Sequence, residues 1–309
     1  MNMSRDAFED AFIKNVISVG LGVIITYING IFVFAFFRTP IFYTDPRYIL
    51  YIHLVINDII MLFVSVTLHV VVYSVPLINV TICCFLLLLG LATSDNTALN
   101  LAGMALERYI AICKPLHHPQ LCTVKRTYIC ISLIWFLTIL TALTDIIIVL
   151  IKQPIGFFLT STMCYSKNIF NSNEHLIKAI FMQSVYLSSV WIMLVFTYFK
   201  VFQAANAATI DQGKARKARN TILLHGIQLL LCMLAYITPL MTYFFLELFP
   251  KYRSTILFIF YIISNVIPRL LSPLIYGVRD QKMFKYVSRY LTFRQFSTQN
   301  GPTCKEPKS

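Results

Sequence analysis

Six ionisable side chains lie where the surrounding sequence is almost wholly apolar: Asp58, Asp95, Asp145 and Arg269 within long hydrophobic runs, and the adjacent Glu107 and Arg108 at the end of one. A charge held in hydrocarbon costs on the order of 3 kcal/mol, so such groups are paired or serve a function. Glu107 and Arg108 stand just before Lys114 and the helix-stopping Pro115, within snorkelling reach of a membrane face. The carboxylate can hold the guanidinium in a resting state, and a small helix movement can hand it to another partner. The groups deeper in the runs suit a ligand counter-charge or an ion pathway, which makes a transporter the rival class. Against that, no inverted repeat of short, glycine-rich broken helices is visible. Neither His-Glu-x-x-His nor Gly-x-Ser-x-Gly occurs, so we expect no enzyme, no catalytic residue, no metal and no cofactor.

The elements that must position these groups are membrane helices. Hydrophobic residues make up 58% of the 309 residues and charged ones 13%, and the mean hydropathy is +0.71, which is too apolar for soluble domains. Runs of the roughly twenty residues that cross a bilayer occur at Ile13–Phe37, Tyr48–Tyr73, Ile82–Cys113, Thr127–Leu150, Leu176–Phe202, Ala218–Phe245 and Ser254–Gly277. The expected architecture is an all-α seven-transmembrane helix bundle in a single domain. It comprises an N-terminal segment 1–12, the bundle 13–277, a short amphipathic cytoplasmic helix 279–291 and a disordered tail 292–309. The first run is too long for a cleavable signal, and Asp6, Glu9 and Asp10 precede it instead of a basic patch. The net charge of +13 is spread over short connections and forms no stripe, so nucleic acid is not an expected partner. Lys and Arg concentrate after runs one, three, five and seven, which places the N-terminus outside and the tail in the cytoplasm. An outside N-terminus makes Asn2, in Asn2-Met3-Ser4, a candidate glycosylation site; Asn79-Val80-Thr81 lies too near the membrane. Met283, Phe284, Val287, Tyr290 and Leu291 recur at helical spacing among bases, the pattern of a helix lying on the inner leaflet and touching its lipid.

The stretch Met104-Ala105-Leu106-Glu107-Arg108-Tyr109-Ile110-Ala111-Ile112-Cys113-Lys114-Pro115-Leu116 closely resembles the signature of odorant receptors within the rhodopsin-like G-protein-coupled receptors, with Glu107 where Asp is usual. Thr197-Tyr198-Phe199-Lys200, Lys217-Ala218-Arg219-Asn220-Thr221 followed by His225, and Ser272-Pro273-Leu274-Ile275-Tyr276 resemble further elements of that family, with substitutions that give a teleost-type impression. The resemblance implies a small extracellular ligand, a stimulatory heterotrimeric G protein, rising cyclic AMP and a plasma-membrane location in olfactory cilia. It implies an activation switch of Glu107, Arg108, Tyr109, Tyr198, His225, Pro273 and Tyr276, with Arg108, Tyr198 and Tyr276 clustering when active. Helix seven has no lysine for a retinal Schiff base, so light sensing is not expected. From the residues alone, Cys164 could bond either Cys83 or Cys84 at the outer end of helix three. The family's spacing before the arginine selects Cys83. With Cys164 as its one cysteine, the second external loop is expected to be loosely held.

Two further expectations concern the bundle interior. A ligand pocket is expected in the outer half under the Cys164 loop, lined by Leu91, Asp95, Gln183, Tyr186, Tyr236, Tyr261 and Asn265. Asp95 lies about 18 Å down the helix from Cys83, and an unpaired carboxylate there would favour an amine-like ligand. At the centre, Asn29, Asp58, Arg269 and Ser272 are expected to form a polar network. Asp58 and Arg269 lie at similar depth, roughly 12 to 15 Å from the inner face, and should form an ion pair. In the family the resemblance points to, the helix-two aspartate serves sodium; here Arg269 would take that cation's place.

Overall fold

A computed structural model describes residues 8–75, 77–207, 237–238, 241–279 and 281–291. Its long helices are α1 (Phe8–Arg38), α2 (Pro46–Ser74), α3 (Val80–Cys113), α4 (Val124–Lys152) and α5 (Asn173–Ala207). They are followed by α6 (the helical residues 241–248) and by α7, built from Arg253–Tyr261, a π-helical turn Ile262–Val266 and Ile267–Arg279. A final helix, α8, spans Gln281–Leu291. Six helices among the described residues are long and apolar enough to cross a membrane. Most of the expected run Ala218–Phe245 lies outside the described residues, as do His225, Tyr236 and Asn2.

Several helices begin before their apolar runs because polar side chains start them. Asp45 accepts a hydrogen bond from the Arg47 amide ahead of α2, with Pro46 in the first turn. Asn79 accepts from the Thr81 amide ahead of α3, and Thr123 from the Arg126 amide ahead of α4. Each such cap stabilises its helix by about 1 kcal/mol. Asn79 is therefore a structural cap, with its partner Thr81 donating to the Phe158 carbonyl at 2.8 Å.

Helix α3 is the hub, packed against α2, α4 and α5, with 44% of its most apolar stretch buried against 6% for α5. Apolar packing is no different from lipid in hydrophobicity, so side-chain hydrogen bonds fix which helix faces which. Asn57 of α2 donates to the Thr93 carbonyl at 2.9 Å and to Thr97 at 2.8 Å, and Asn100 of α3 donates to the Leu50 carbonyl at 3.2 Å. The Trp135 indole of α4 donates to His53 of α2 at 2.7 Å. Lys14 is buried and donates to Ser254 at 2.6 Å, tying α1 to the start of α7.

The 151–175 connection is held more firmly than expected. Strand β1 (Ile78–Asn79) pairs antiparallel with β2 (Ser161–Thr162), a 3-10 turn covers Ile155–Leu159, a helical turn covers Ser166–Ile169, and Cys83 is bonded to Cys164. Backbone pairing did what extra cysteines were expected to do.

At the opposite end, α8 departs from the expected lipid-lying helix. Met283 and Val287 are buried in the main core, and Tyr286 meets Phe42 edge-on at 5.5 Å. Phe284 faces outward. The apolar face of α8 is shared between the bundle and the outside.

Candidate functional site

The helices place four polar or hollow features in the bundle, two of them at the ends of α3. At the disulfide end, α2, α3 and α7 flank a half-open cavity of about 380 Å3 that Cys164, Tyr165 and Ser166 also line. Leu91, Tyr261 and Asn265 line it as expected from the sequence; Asp95, Gln183 and Tyr186 do not. Gln183 lies exposed on α5, and Tyr186 is buried against α4 through Thr141. Sequence reasoning missed Ser65, His69 and Phe258, which also line it. His69 stacks on Tyr261 at 4.5 Å. Their aromatic spacing along two separate helices carried no signal of that meeting.

At the bundle centre, Arg269 Nε stands 3.8 Å from Asp58 Oδ1, with both side chains almost wholly buried. Arg269 Nη1 donates to the Ser264 carbonyl at 2.8 Å. The π turn breaks the regular α-helical bonding there and leaves that carbonyl able to accept. Asn29 donates to the Arg269 carbonyl at 3.3 Å, and Ser272 hydrogen-bonds the Asp58 carboxylate. All four residues of the expected network thus meet.

Between α4 and α5 lies a cluster the sequence did not reveal. Asp145 takes Lys178 Nζ at 2.6 Å and stands 3.2 Å from His175 Nδ1; Lys178 also donates to the Thr141 carbonyl at 2.6 Å. Lys178 is the third residue of the expected run Leu176–Phe202 and was not singled out from the sequence. The charges of Lys178 and Asp145 act on Asp95 in opposite senses. The only hint was the spacing of His175 and Lys178, which puts both on one helix face.

At the latch end, Glu107 is 6% exposed and divides its oxygens. Oε2 is 3.7 Å from Arg108 Nε, and Oε1 is 3.1 Å from His118 Nε2 on the short helix His118–Leu121. His118 was not singled out from the sequence because nothing local marks a turn that folds back by eleven positions. Burial pushes the nearby Cys122 thiol above its ordinary value, Glu107 adds to the rise, and Arg126 opposes it. Tyr109 packs on Phe196 at 5.5 Å, and Cys113 Sγ donates to the Lys200 carbonyl at 3.6 Å, so the ends of α3 and α5 adjoin. Tyr198 is half exposed, stacks on Phe202 of its own helix and makes no hydrogen bond to Arg108 in this arrangement. Pro273 is buried within α7, and Tyr276 lies in the same helix.

Comparison with known proteins bears on what such an arrangement does. The family model described as 7 transmembrane receptor (rhodopsin family) matches residues 28–276. The chain is 28% identical over 268 residues to odorant receptor 131-2 of Danio rerio, a match covering 86% of this chain and 82% of that protein. It is also 31% identical over 99 residues to a tyramine receptor of Caenorhabditis elegans, covering 31% of this chain and 22% of the other.

Proposed function

We propose, from the premise that the chain belongs to the rhodopsin family of seven-transmembrane receptors, that it is an odorant receptor that couples a small external ligand to a stimulatory G protein and raises cyclic AMP. The N-terminus is outside and the α8 end cytoplasmic, as the distribution of Lys and Arg supports. The observation that carries the reading is that one helix, α3, bears a cavity wall and the loop disulfide at one end and the Glu107–Arg108 pair at the other. A ligand shifts a receptor only by binding its two states differently. Helix α3 is about 51 Å long at roughly 1.5 Å per residue, and a small rotation at its outer end changes which oxygen, ring or carbonyl meets Arg108 at its inner end. Freed from Glu107, Arg108 would join Tyr198 and Tyr276 around an inserted G-protein helix.

A second reading places an amine at Asp95, and the partial similarity to a tyramine receptor favours it. Against it, Asp95 does not line the cavity. The test is odorant-driven cyclic AMP in cells expressing the receptor at matched surface levels. Arg108→Ala is expected to lose at least nine-tenths of the response, and full signalling would overturn the coupling role. Asp95→Asn in an amine series decides the second reading, which fails if amine potency is unchanged.

A further inference from the structure

The geometry points to an uncharged aromatic molecule with one hydrogen-bonding oxygen as the ligand of the α2–α3–α7 cavity. This rests on the receptor reading above and adds the chemical class and the seat. Three rings form one continuous wall. His69 and Tyr261 stack with planes 13° apart, and Phe258 stands 5.5 Å from His69 and 6.4 Å from Tyr261. A flat ligand meets such a wall by offset or edge contacts that an aliphatic chain cannot make.

The charge class follows from what lines the space. No Asp, Glu, Lys or Arg is among the described residues lining it. An ammonium or a carboxylate entering there would give up part of its water with no opposite charge among the described lining residues to receive it. Asp95, the carboxylate an amine would need, does not line the cavity. Hydrogen-bonding groups are present beside the rings, in Ser65 of α2 and Asn265 of α7. Asn265 belongs to the π turn Ile262–Val266, whose extra residue changes which side chains face inward. A carbonyl or hydroxyl on the ligand would be met there. The volume of about 380 Å3 is at the small end of the roughly 300–1,000 Å3 typical of ligand sites, which suits one ring with a short substituent.

Gly90 on α3 provides a way to close the space. It lines the cavity, and a Cβ built there meets only the Val64 side chain at 3.5 Å, an ordinary van der Waals distance. Alanine therefore fits, and a larger side chain must occupy ligand volume.

The experiment measures direct binding to the purified full-length receptor in lipid nanodiscs, using benzaldehyde, benzylamine and benzoate as probes of matched shape. Benzaldehyde is expected to bind at least tenfold tighter than either charged analogue. Gly90→Ala is expected to keep that binding and Gly90→Val to lose it at least tenfold. Should Gly90→Val fold poorly, Leu91→Trp enlarges another side chain that lines the cavity and is expected to weaken benzaldehyde binding likewise. Equal or tighter binding of benzylamine or benzoate overturns the charge class. Absent benzaldehyde binding, or undiminished binding in every folded variant that fills the space, overturns the seat. Because no G protein is involved, binding without any cyclic AMP response would sink the signalling reading alone. A response to amines with no benzaldehyde binding would sink this inference alone.

Discussion

Arg269 shows how a permanent cation is kept in a membrane interior. Its guanidinium has a carboxylate at 3.8 Å and a freed backbone carbonyl at 2.8 Å, so its charge and one donor are both met without water. Asp58 is in turn held by Ser272. Removing one member of such a pair strands the other, at about 3 to 5 kcal/mol, whereas removing both costs much less. Asp58→Asn and Arg269→Gln are each expected to cut surface expression and lower the melting temperature of the purified receptor. The double variant should recover expression relative to either single one, and strictly additive losses would count against the pair. With a cation fixed at this position, ligand affinity is expected to be unchanged when sodium is exchanged for potassium in a binding assay, and a sodium-dependent shift would count against the replacement. Glu107 illustrates the opposite design, because a carboxylate divided between Arg108 and His118 holds neither exclusively.

Among the elements, α8 gives the sharpest test, since its apolar residues divide between two surroundings. Met283 is fully buried and Val287 nearly so, while Phe284 is exposed. Truncating a buried methionine costs about 2–5 kcal/mol through lost contacts and a cavity. Met283→Ala is therefore expected to lower the thermal stability of the receptor in detergent, and Phe284→Ala to leave it within about 0.5 kcal/mol of the parent. Equal effects of the two would mean that α8 does not pack as described. The loop between α4 and α5 behaves as a folded element for a similar reason. Its two-residue strand satisfies backbone groups that a bare loop over a cavity would leave unpaired.

For the whole molecule, orientation is the property on which the functional reading depends. The latch must face the cytoplasm and the disulfide the oxidising side. An epitope tag at the N-terminus is expected to be labelled on intact cells and one at the C-terminus only after permeabilisation; the reverse would remove the signalling role of Arg108. The sequence by itself determined the seven-helix class, because spans of this length and hydropathy have few other soluble or membrane solutions. It also determined the place of Glu107 and Arg108, because helix ends are marked by local residues such as Lys114 and Pro115. Pairing of Asp58 with Arg269 was legible too, since depth along a helix is counted in residues and buried opposite charges must be matched. Rotation of each helix about its axis was not legible. In lipid both faces of a span are apolar, so periodicity does not say which one turns inward, and the first structural fact to decide it is a partner on another helix. That is why the pairing of Lys178 with Asp145 went unread, and why Asp95, Gln183 and Tyr186 fell outside the cavity. It is also why His69, Tyr261 and Phe258 became one wall only when a π turn set the rotation of α7 against α2.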